Sequence, residues 1–187
     1  MATVDDKKVI FSMVGVSKII PQNQKQILKN IYLSFFYGAK IGIVGLNGAG
    51  KSTLMKILTG LIHDYKGSVL IEGNAPGDKT KAITAYLPEQ TFIHDWMRNI
   101  DAIDYFNDFF TDFDKNKALD MLDRFGLDRK QKAKTMSKGM QEKLLLSLVM
   151  SREADLYILD EPTTGLHAAD VHKLIEVLQR LVDAGNT

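Results

Sequence analysis

The spacing of apolar residues along the chain predicts short strands alternating with helices. Apolar and β-branched residues from Val9 to Val16 and from Ile31 to Phe36 predict two strands, and the polar stretch PQNQKQ between them predicts a loop. Lys40 to Val44 is a short apolar run, followed by glycines and by the helix-compatible stretch KSTLMKILTGL. The chain therefore begins with an antiparallel edge region and continues with a strand, a glycine-rich loop and a helix.

Further along the chain, the spacing of apolar residues first predicts strands and then helices. Short apolar runs at Val69 to Ile71 and Ile83 to Leu87 predict short strands. Between about Asn99 and Lys134, apolar residues recur every three or four positions, which predicts a mostly helical insert. A helix is expected after Ser137, and a buried strand from Leu156 to Leu159. A final helix is expected with Val171, Leu174, Ile175, Leu178 and Leu181 on one face and Gly185 at its end.

Composition narrows the classes of protein that fit this pattern. The 187 residues are 45% hydrophobic and 25% charged, which is enough for one domain with a buried core. The net charge of +1 gives no support for binding to nucleic acid, the ribosome or an anionic membrane. The chain has no cysteine, no signal-like start and no apolar run of about 20 residues. We therefore expect a cytoplasmic protein without direct membrane insertion, and any membrane role would come through a partner.

Residues 45 to 52 match the phosphate-binding pattern G-x-x-x-x-G-K-[ST]. They are Gly45, Leu46, Asn47, Gly48, Ala49, Gly50, Lys51 and Ser52. Glycines allow backbone N–H groups to converge on phosphate oxygens at the start of a helix. Lys51 would reach the β- and γ-phosphates, Ser52 would bind Mg²⁺, and Thr53 would lie near the α-phosphate. The alternative is a glycine-rich turn before a core helix, but the strand before it and the helix after it favour a nucleotide site.

Two acids follow the predicted strand from Leu156 to Leu159. A carboxylate at the carboxyl end of a strand is well placed to hold Mg²⁺ through water, and its neighbour can polarise an attacking water. Asp160 is the candidate for the first role and Glu161 for the second. Taken alone, the same residues also fit a plain strand-to-turn transition; the phosphate loop favours the functional interpretation.

The motifs at 45–52, Ser-Lys-Gly-Met at 137–140 and Ile-Leu-Asp-Glu-Pro at 158–162 stand in the order and spacing of the ABC ATPase family, which the chain resembles over almost its whole length. The resemblance implies an α/β P-loop NTPase fold of the ABC type, with a mixed or parallel core sheet, an antiparallel β edge region and a small helical subdomain. Residues 1–187 would form one domain, with a nucleotide-binding core of 1–90 and 150–187 and a helical subdomain of about 91–149. The family's next strand and switch histidine are expected beyond Thr187, so the C-terminal strand or strands are expected to be missing.

The resemblance also implies how two copies would share ATP. In the family, the Ser-Gly signature of one subunit caps the γ-phosphate held by the other, so Ser137 and Gly139 would act in trans within an ATP-dependent homodimer. Lys138 and Met140 depart from the usual glycine and glutamine of this signature. An ordinary helix N-cap is the alternative role for Ser137.

The sequence Tyr-Leu-Pro-Glu-Gln at 86–90 resembles the family's glutamine loop, which senses magnesium and the attacking water. The usual register places a glutamine directly after the proline, where this chain has Glu89. Glu89 or the following Gln90 is therefore the candidate for the metal-sensing role.

Local resemblance changes along the chain. The segment from about Val9 to Leu61 resembles ABC-F translation factors, the segment from about Gly67 to Met150 resembles drug-export transporter ATPases, and the segment from Leu156 onward resembles the excinuclease A subunit. Two hypotheses follow: an ordinary transporter ATPase, or a hybrid chain that was designed or recombined from ABC segments.

The function implied is Mg·ATP binding with hydrolysis in a head-to-tail sandwich dimer. A membrane-embedded transporter subunit would be a partner. Because the switch histidine is expected beyond Thr187, hydrolysis is expected to be slow or absent. The alternative is an ABC-fold module with little or no enzymatic activity.

Overall fold

The computed structural model describes residues 8–39, 41–43, 46, 48–89, 91–160, 167, 170–172, 175, 176 and 179. The elements in chain order are β1 (Val9–Ile20), β2 (Lys25–Phe36), α1 (Lys51–Leu58), β3 (Lys66–Ile71), α2 (Asp78–Ala82), β4 (Thr84–Leu87), α3 (Asn99–Phe109), α4 (Lys115–Phe125), a 3₁₀ turn (Ala133–Thr135), α5 (Lys138–Met150) and β5 (Leu156–Leu159). The predicted α/β class is confirmed.

The chain divides into two compact units. The first contains the described residues up to Thr84 together with Asp155–Tyr157, and the second contains Ala85–Ala154 with the described residues from Ile158 onward. In the first unit, β1 pairs antiparallel with both β2 and β3, in the order β2-β1-β3. This sheet confirms the predicted antiparallel region. The domain boundaries predicted from the sequence, near residues 90 and 150, stay a prediction.

The hairpin between β1 and β2 is tighter than the sequence predicts. The strands pair as far as Ile20 and Lys25, so only four residues form the turn, and Gln24 closes it with a φ of 52°. The predicted loop was too long because a polar composition marks solvent exposure and does not by itself break a strand. Inward-facing side chains from β1, β3 and α1 form this unit's core, among them Ile10, Met13, Val16, Ile57, Val69 and Ile71.

The strand predicted from Lys40 to Val44 is not found in its described part. Ile41, Gly42 and Ile43 belong to no strand, and the two end residues lie outside the described ranges. Gly42, at the centre of the predicted run, has no side chain to pack, which weakens a strand. The pattern of apolar residues was therefore an insufficient signal here.

The second unit is built on three packed helices, α3, α4 and α5. Buried residues recur along α3 at Ala102, Ile103 and Phe106, which confirms the helical spacing found in the sequence. Helix α4 begins with the Asp114 carboxylate accepting from the Lys117 N–H at 3.0 Å and ends at Gly126 in the left-handed conformation. Residues 144–150 of α5 are buried on every side, so this helix is the centre of the unit.

Strands β4 and β5 form a second, two-stranded sheet. The Ile83 carbonyl accepts from the backbone N–H groups of Asp155 and Leu156, and the Leu87 carbonyl accepts from that of Asp160. These pairs advance in the same direction along both strands, so the strands are parallel. The structure thus has both antiparallel and parallel pairing, as the sequence predicted.

The final helix predicted from the sequence is only partly described. Residues 170–172, 175, 176 and 179 are helical, but Ile175 is 53% exposed although it was assigned to the apolar face. Leu174, Leu178, Leu181 and Gly185, which belong to the same prediction, lie outside the described residues. Within the described parts of the chain, no helix combines the length and the hydropathy that crossing a membrane requires.

Candidate functional site

The described part of the phosphate loop makes a tight turn into α1. The Ala49 N–H donates to the Leu46 carbonyl at 3.1 Å, and the Leu54 N–H donates to the Gly50 carbonyl at 2.9 Å. Gly48 and Gly50 have φ values of 80° and 91°, in the left-handed region that favours glycine. The backbone of this turn therefore requires glycine at positions 48 and 50.

Residues outside the sequence motif also leave no room for a side chain at Gly50. A Cβ atom at this position would lie 2.8 Å from Cγ2 of Ile27 and 3.1 Å from Cδ2 of Leu28. The first residues of β2 therefore pack directly against the last glycine of the loop. Ile27 and Leu28 carry no motif signal, so sequence reasoning could identify them only as members of an apolar run.

The start of α1 fits an anion. Its first three residues are Lys51, Ser52 and Thr53, all half-buried, and its first turn carries no acidic side chain. The N-cap is Gly50, which has no side chain to accept from the first N–H groups of the helix. Backbone N–H groups and the helix dipole at such an end favour negative charge, and a lysine in the same turn adds to this.

Asp160 follows β5 and lies in the second unit. Its backbone N–H donates to the Leu87 carbonyl at 3.0 Å, and the residue is only 1% exposed. A buried carboxylate needs compensating partners, and Mg²⁺ prefers carboxylate and hydroxyl oxygens. The donor types at Asp160 and at Ser52 therefore each fit this metal.

Tyr86 shares the environment of Asp160. Burial of the phenol raises its pKa to about 12, and the charges of Asp160 and Glu89 contribute in the same direction. The structure therefore brings together a phenol and two of the acids predicted for the metal site, while Glu89 itself is exposed. The sequence places Tyr86 in the segment that resembles the glutamine loop and indicates no role for its side chain.

Ser137 is the N-cap of α5. Its hydroxyl oxygen accepts from the Met140 N–H at 3.2 Å, and the residue is exposed together with Lys138. The helix begins at Lys138, directly after Ser137 as the sequence predicts, because the serine side chain caps its first turn. Ser137 is therefore a helix N-cap, the alternative role considered for it from the sequence. Gly139 lies in the first turn of the helix.

Four residues of the predicted site, Gly45, Asn47, Gln90 and Glu161, lie outside the described residues. The described phosphate-loop residues belong to the first unit, and Glu89, Ser137, Gly139 and Asp160 belong to the second. The roles assigned to all these residues stay predictions.

Comparison with known proteins identifies the family. The profile described as "ABC transporter" matches residues 28–164. The chain is 30% identical over 170 residues to the ABC transporter ATP-binding protein YtrB of Bacillus subtilis (strain 168), covering 90% of the chain and 56% of YtrB. It is 30% identical over 168 residues to the lantibiotic transport ATP-binding protein SrtF of Streptococcus pyogenes, covering 88% of the chain and 72% of SrtF. The chain spans only part of the length of these relatives, from 49% of one further curated relative to 72% of SrtF.

A solved dimeric structure of a bacterial ABC transporter cassette has the same fold. Its TM-score is 0.84 at 20% sequence identity, with 95% of this chain and 85% of the other covered. YtrB, SrtF and this cassette are neither ABC-F factors nor excinuclease subunits, so the resemblance is shown at the level of the family and not of those groups. With most of its length matched by the family profile, this chain belongs to the ABC transporter family as an ATP-binding domain.

Proposed function

We propose that the chain binds Mg·ATP through the phosphate loop at 45–52, with Lys51 on the β- and γ-phosphates. The observation that carries the proposal is the turn into α1, in which Gly48 and Gly50 adopt left-handed conformations ahead of a helix start with no acidic residue. Glycines in this conformation allow successive backbone N–H groups to converge on phosphate oxygens at the start of a helix. Membership of the family supports the same nucleotide.

Ser52 and Asp160 are the proposed Mg²⁺ ligands, and Glu89 or Gln90 is the proposed sensor of that metal. A bound Mg²⁺ would bridge phosphate oxygens and offset their charge. Asp160 is only 1% exposed and its charge acts on the pKa of Tyr86, so the structure buries a carboxylate, a ligand type that Mg²⁺ prefers, at the carboxyl end of β5.

Thermal unfolding in the presence of nucleotide tests the binding proposal. A ligand that binds only the folded state at 100 times its Kd stabilises by about 2.7 kcal/mol, which for this size of chain raises Tm by about 5–10 °C. We expect such a shift with millimolar Mg·ATP, and a much smaller one for Lys51→Ala. A wild-type Tm that does not change with nucleotide, or that changes equally in Lys51→Ala, would favour the alternative of a structural module.

We further propose that ATP joins two copies head to tail and is hydrolysed at the interface. Glu161 would polarise the attacking water, and Ser137 and Gly139 would contact the γ-phosphate held by the other copy. The exposed position of Ser137 at the start of a 13-residue helix supports this role. The dimeric form of the structurally similar cassette supports the assembly.

Turnover is proposed to be slow. Lys138, Met140 and Glu89 stand where the family has glycine, glutamine and glutamine, so both the phosphate contact and the metal sensor are altered. Steady-state phosphate release, with Glu161→Gln as the inactive control, measures this. A rate of about 1 per second or more, lost in Glu161→Gln, would show that these substitutions do not impair catalysis.

A membrane-embedded transporter subunit is the proposed partner. Tyr105 and Phe109 lie one turn apart on α3, 56% and 66% exposed, with ring centroids 6.0 Å apart. Large exposed aromatic pairs are typical of protein interaction surfaces. Tyr105→Asp and Phe109→Asp should each weaken binding to a reconstituted transporter subunit at least about tenfold. Tyr32→Asp, at an equally exposed tyrosine on β2, is the matched control; equal loss in all three variants would contradict a surface on α3.

The hybrid origin of the chain stays a second hypothesis. YtrB and SrtF align across 90% and 88% of the chain, so each alignment includes residues from all three of its segments. Searching each third separately tests the hypothesis, because one natural subfamily that ranks first for all three thirds would contradict it.

A further inference from the structure

The start of α3 and the segment that leads to α5 are joined along their backbones. Residues 95–100 and 128–134 run antiparallel, with an isolated bridge between Arg98 and Lys132. Four N–H groups donate across this junction: Ala133 to the Met97 carbonyl at 2.9 Å, Lys134 to that of Asp95 at 3.1 Å, Asn99 to that of Gln131 at 3.1 Å, and Ile100 to that of Arg129 at 2.9 Å. Residues 128–136, here the pre-signature segment, are therefore attached to the N-terminal end of α3.

One side chain strengthens this junction from inside. Asn99 is 0% exposed, and its Nδ2 donates to the Asp128 carbonyl at 2.8 Å while its backbone N–H donates to Gln131. The Gln131 N–H in turn donates to the Asp128 carbonyl at 3.1 Å, so Asn99 binds both ends of one turn. It therefore fixes the shape of the turn as well as its location.

The side chain of Asn99 does not give the largest possible contribution to the stability of the fold. Its Oδ1 is buried and has no hydrogen-bond partner among the described residues. A buried acceptor left without a donor is unfavourable, and an apolar side chain of similar size would avoid that cost. The amide at Asn99 is therefore better explained by the position that it imposes on the pre-signature segment.

The pre-signature segment also contacts the helix that follows it. The Ala133 carbonyl accepts from Gln141 Nε2 at 3.1 Å and from the Met136 N–H at 3.0 Å, and Ala133 is 1% exposed. Ser137 comes directly after Met136 and caps α5. The location of Ser137 thus depends on a segment held by Asn99 on one side and by Gln141 on the other.

We propose that Asn99 is a positioning residue for Ser137. It holds the pre-signature segment against the start of α3, so that Ser137 and the first turn of α5 meet the phosphate bound by a second copy in one defined geometry. This inference rests on the proposed ATP-dependent dimer. Asn99 itself touches neither nucleotide nor metal in this scheme.

The test compares dimer formation with monomer binding. In a Glu161→Gln background, Asn99→Ala should weaken Mg·ATP-dependent dimerisation at least about tenfold, measured by sedimentation, and leave the Kd of the monomer for Mg·ATP within about twofold. Trypsin should also cleave faster after the exposed Lys130, Lys132 and Lys134. The matched control is Asn107→Ala, the same change at an exposed position of the same helix, which should alter none of these quantities.

A second variant covers the case in which Asn99→Ala does not fold. Asn99→Asp keeps the shape of the side chain but can donate only when its carboxyl is protonated. We therefore expect the Asn99→Asp variant to dimerise more weakly than wild type at pH 8. At pH 5.5 the difference between the variant and wild type, both measured at that pH, should be smaller.

Three outcomes separate the inference from the function on which it rests. Wild-type protein that binds no Mg·ATP would overturn the proposed function itself. Wild-type protein that dimerises while folded Asn99 variants do so equally well would overturn the positioning role. The positioning role would also be overturned if dimerisation decreased only in proportion to the decrease in Tm, while trypsin cleaved the pre-signature segment no faster than in wild type.

Discussion

At the scale of single residues, Glu142 shows how burial acts on an ionisable group close to the candidate phosphate contact. It is 5% exposed on α5, and desolvation raises the pKa of its carboxyl, opposed by the positive charge of Lys138. A carboxyl whose pKa is higher in the folded state stabilises the fold fully below its unfolded pKa. That contribution is lost as the pH rises through the folded value.

Glu142→Gln tests this directly. We expect the variant to have a larger free energy of unfolding than wild type at pH 7 and little difference at pH 4, because glutamine carries no charge to desolvate. Urea denaturation at the two pH values measures it. Glu153→Gln, at an exposed position just beyond the same helix, should show no such pH-dependent gain. A loss of stability at pH 7 in Glu142→Gln would mean that the carboxylate has a favourable partner.

At the scale of elements, the close approach of β1 and β3 requires glycine. Gly67 has a φ of 95°, and a Cβ atom there would lie 2.6 Å from the backbone carbonyl carbon and oxygen of Gly15. Backbone atoms cannot move aside as a flexible side chain can, so the two strands would have to separate.

Gly67→Ala should therefore destabilise the protein by about 2–5 kcal/mol, the sum of left-handed strain and a steric clash. Gly73→Ala is the matched control, because Gly73 has a φ of 75° with nothing within 4 Å of the added Cβ. It should cost only about 1–2 kcal/mol. Thermal or urea unfolding of both variants measures the two losses of stability. Equal losses would mean that movement of the strands relieves the clash at Gly67.

The loop between α3 and α4 is fixed to the end of α5 by an ion pair. Arg152 Nη2 and Nε lie 2.9 Å and 3.1 Å from the two carboxylate oxygens of Asp112, and its guanidinium lies 4.1 Å from the ring centroid of Phe110. The arginine side chain is only 6% exposed, and the pair with Asp112 offsets part of the cost of burying its charge.

Arg152→Ala should cost about 2–4 kcal/mol of stability, since it removes a buried cation together with its packing. Arg124→Ala breaks the pair with Asp120, in which both side chains are at least half exposed, and should cost less than about 1 kcal/mol. Denaturant midpoints of the two variants measure the difference. Comparable costs would show that burial does not strengthen the Asp112 pair.

At the scale of the whole molecule, the proposed head-to-tail dimer makes each nucleotide site a product of two chains. Lys51→Ala alone and Ser137→Ala alone should each damage both sites of a homodimer. In a mixed dimer of these two variants, one site would carry both defects and the other would carry neither.

Mixing the two variants should therefore restore one intact site per mixed dimer. We expect the mixture to recover up to about half of the wild-type ATP-dependent dimerisation, or of its turnover, where neither variant alone shows any. Sedimentation and phosphate release measure this against each variant at the same total concentration. No recovery on mixing would contradict a site shared between chains.

Local features of the protein were predictable from the sequence. The motif at 45–52 is contiguous, with left-handed turn conformations at Gly48 and Gly50, and the helical spacing of α3 repeats over three turns. The strand expected from Lys40 to Val44 is not found at its described residues 41–43, because a short run with a central glycine specifies strand pairing weakly. Order and spacing of the motifs were sufficient to indicate the family, which the profile match confirms.

Contacts between distant parts of the chain were decided only by the tertiary structure. Ile27 and Leu28 pack on Gly50, and Asn99 binds the turn at 128–131, across gaps of more than twenty residues. Such partners are chosen by packing and by backbone hydrogen bonds that form only once the elements have come together, so no local pattern encodes them. The sequence by itself therefore determined that binding of Mg·ATP is to be expected. The tertiary structure decided which distant side chains pack against the glycine turn at 48–50 and fix the segment before Ser137.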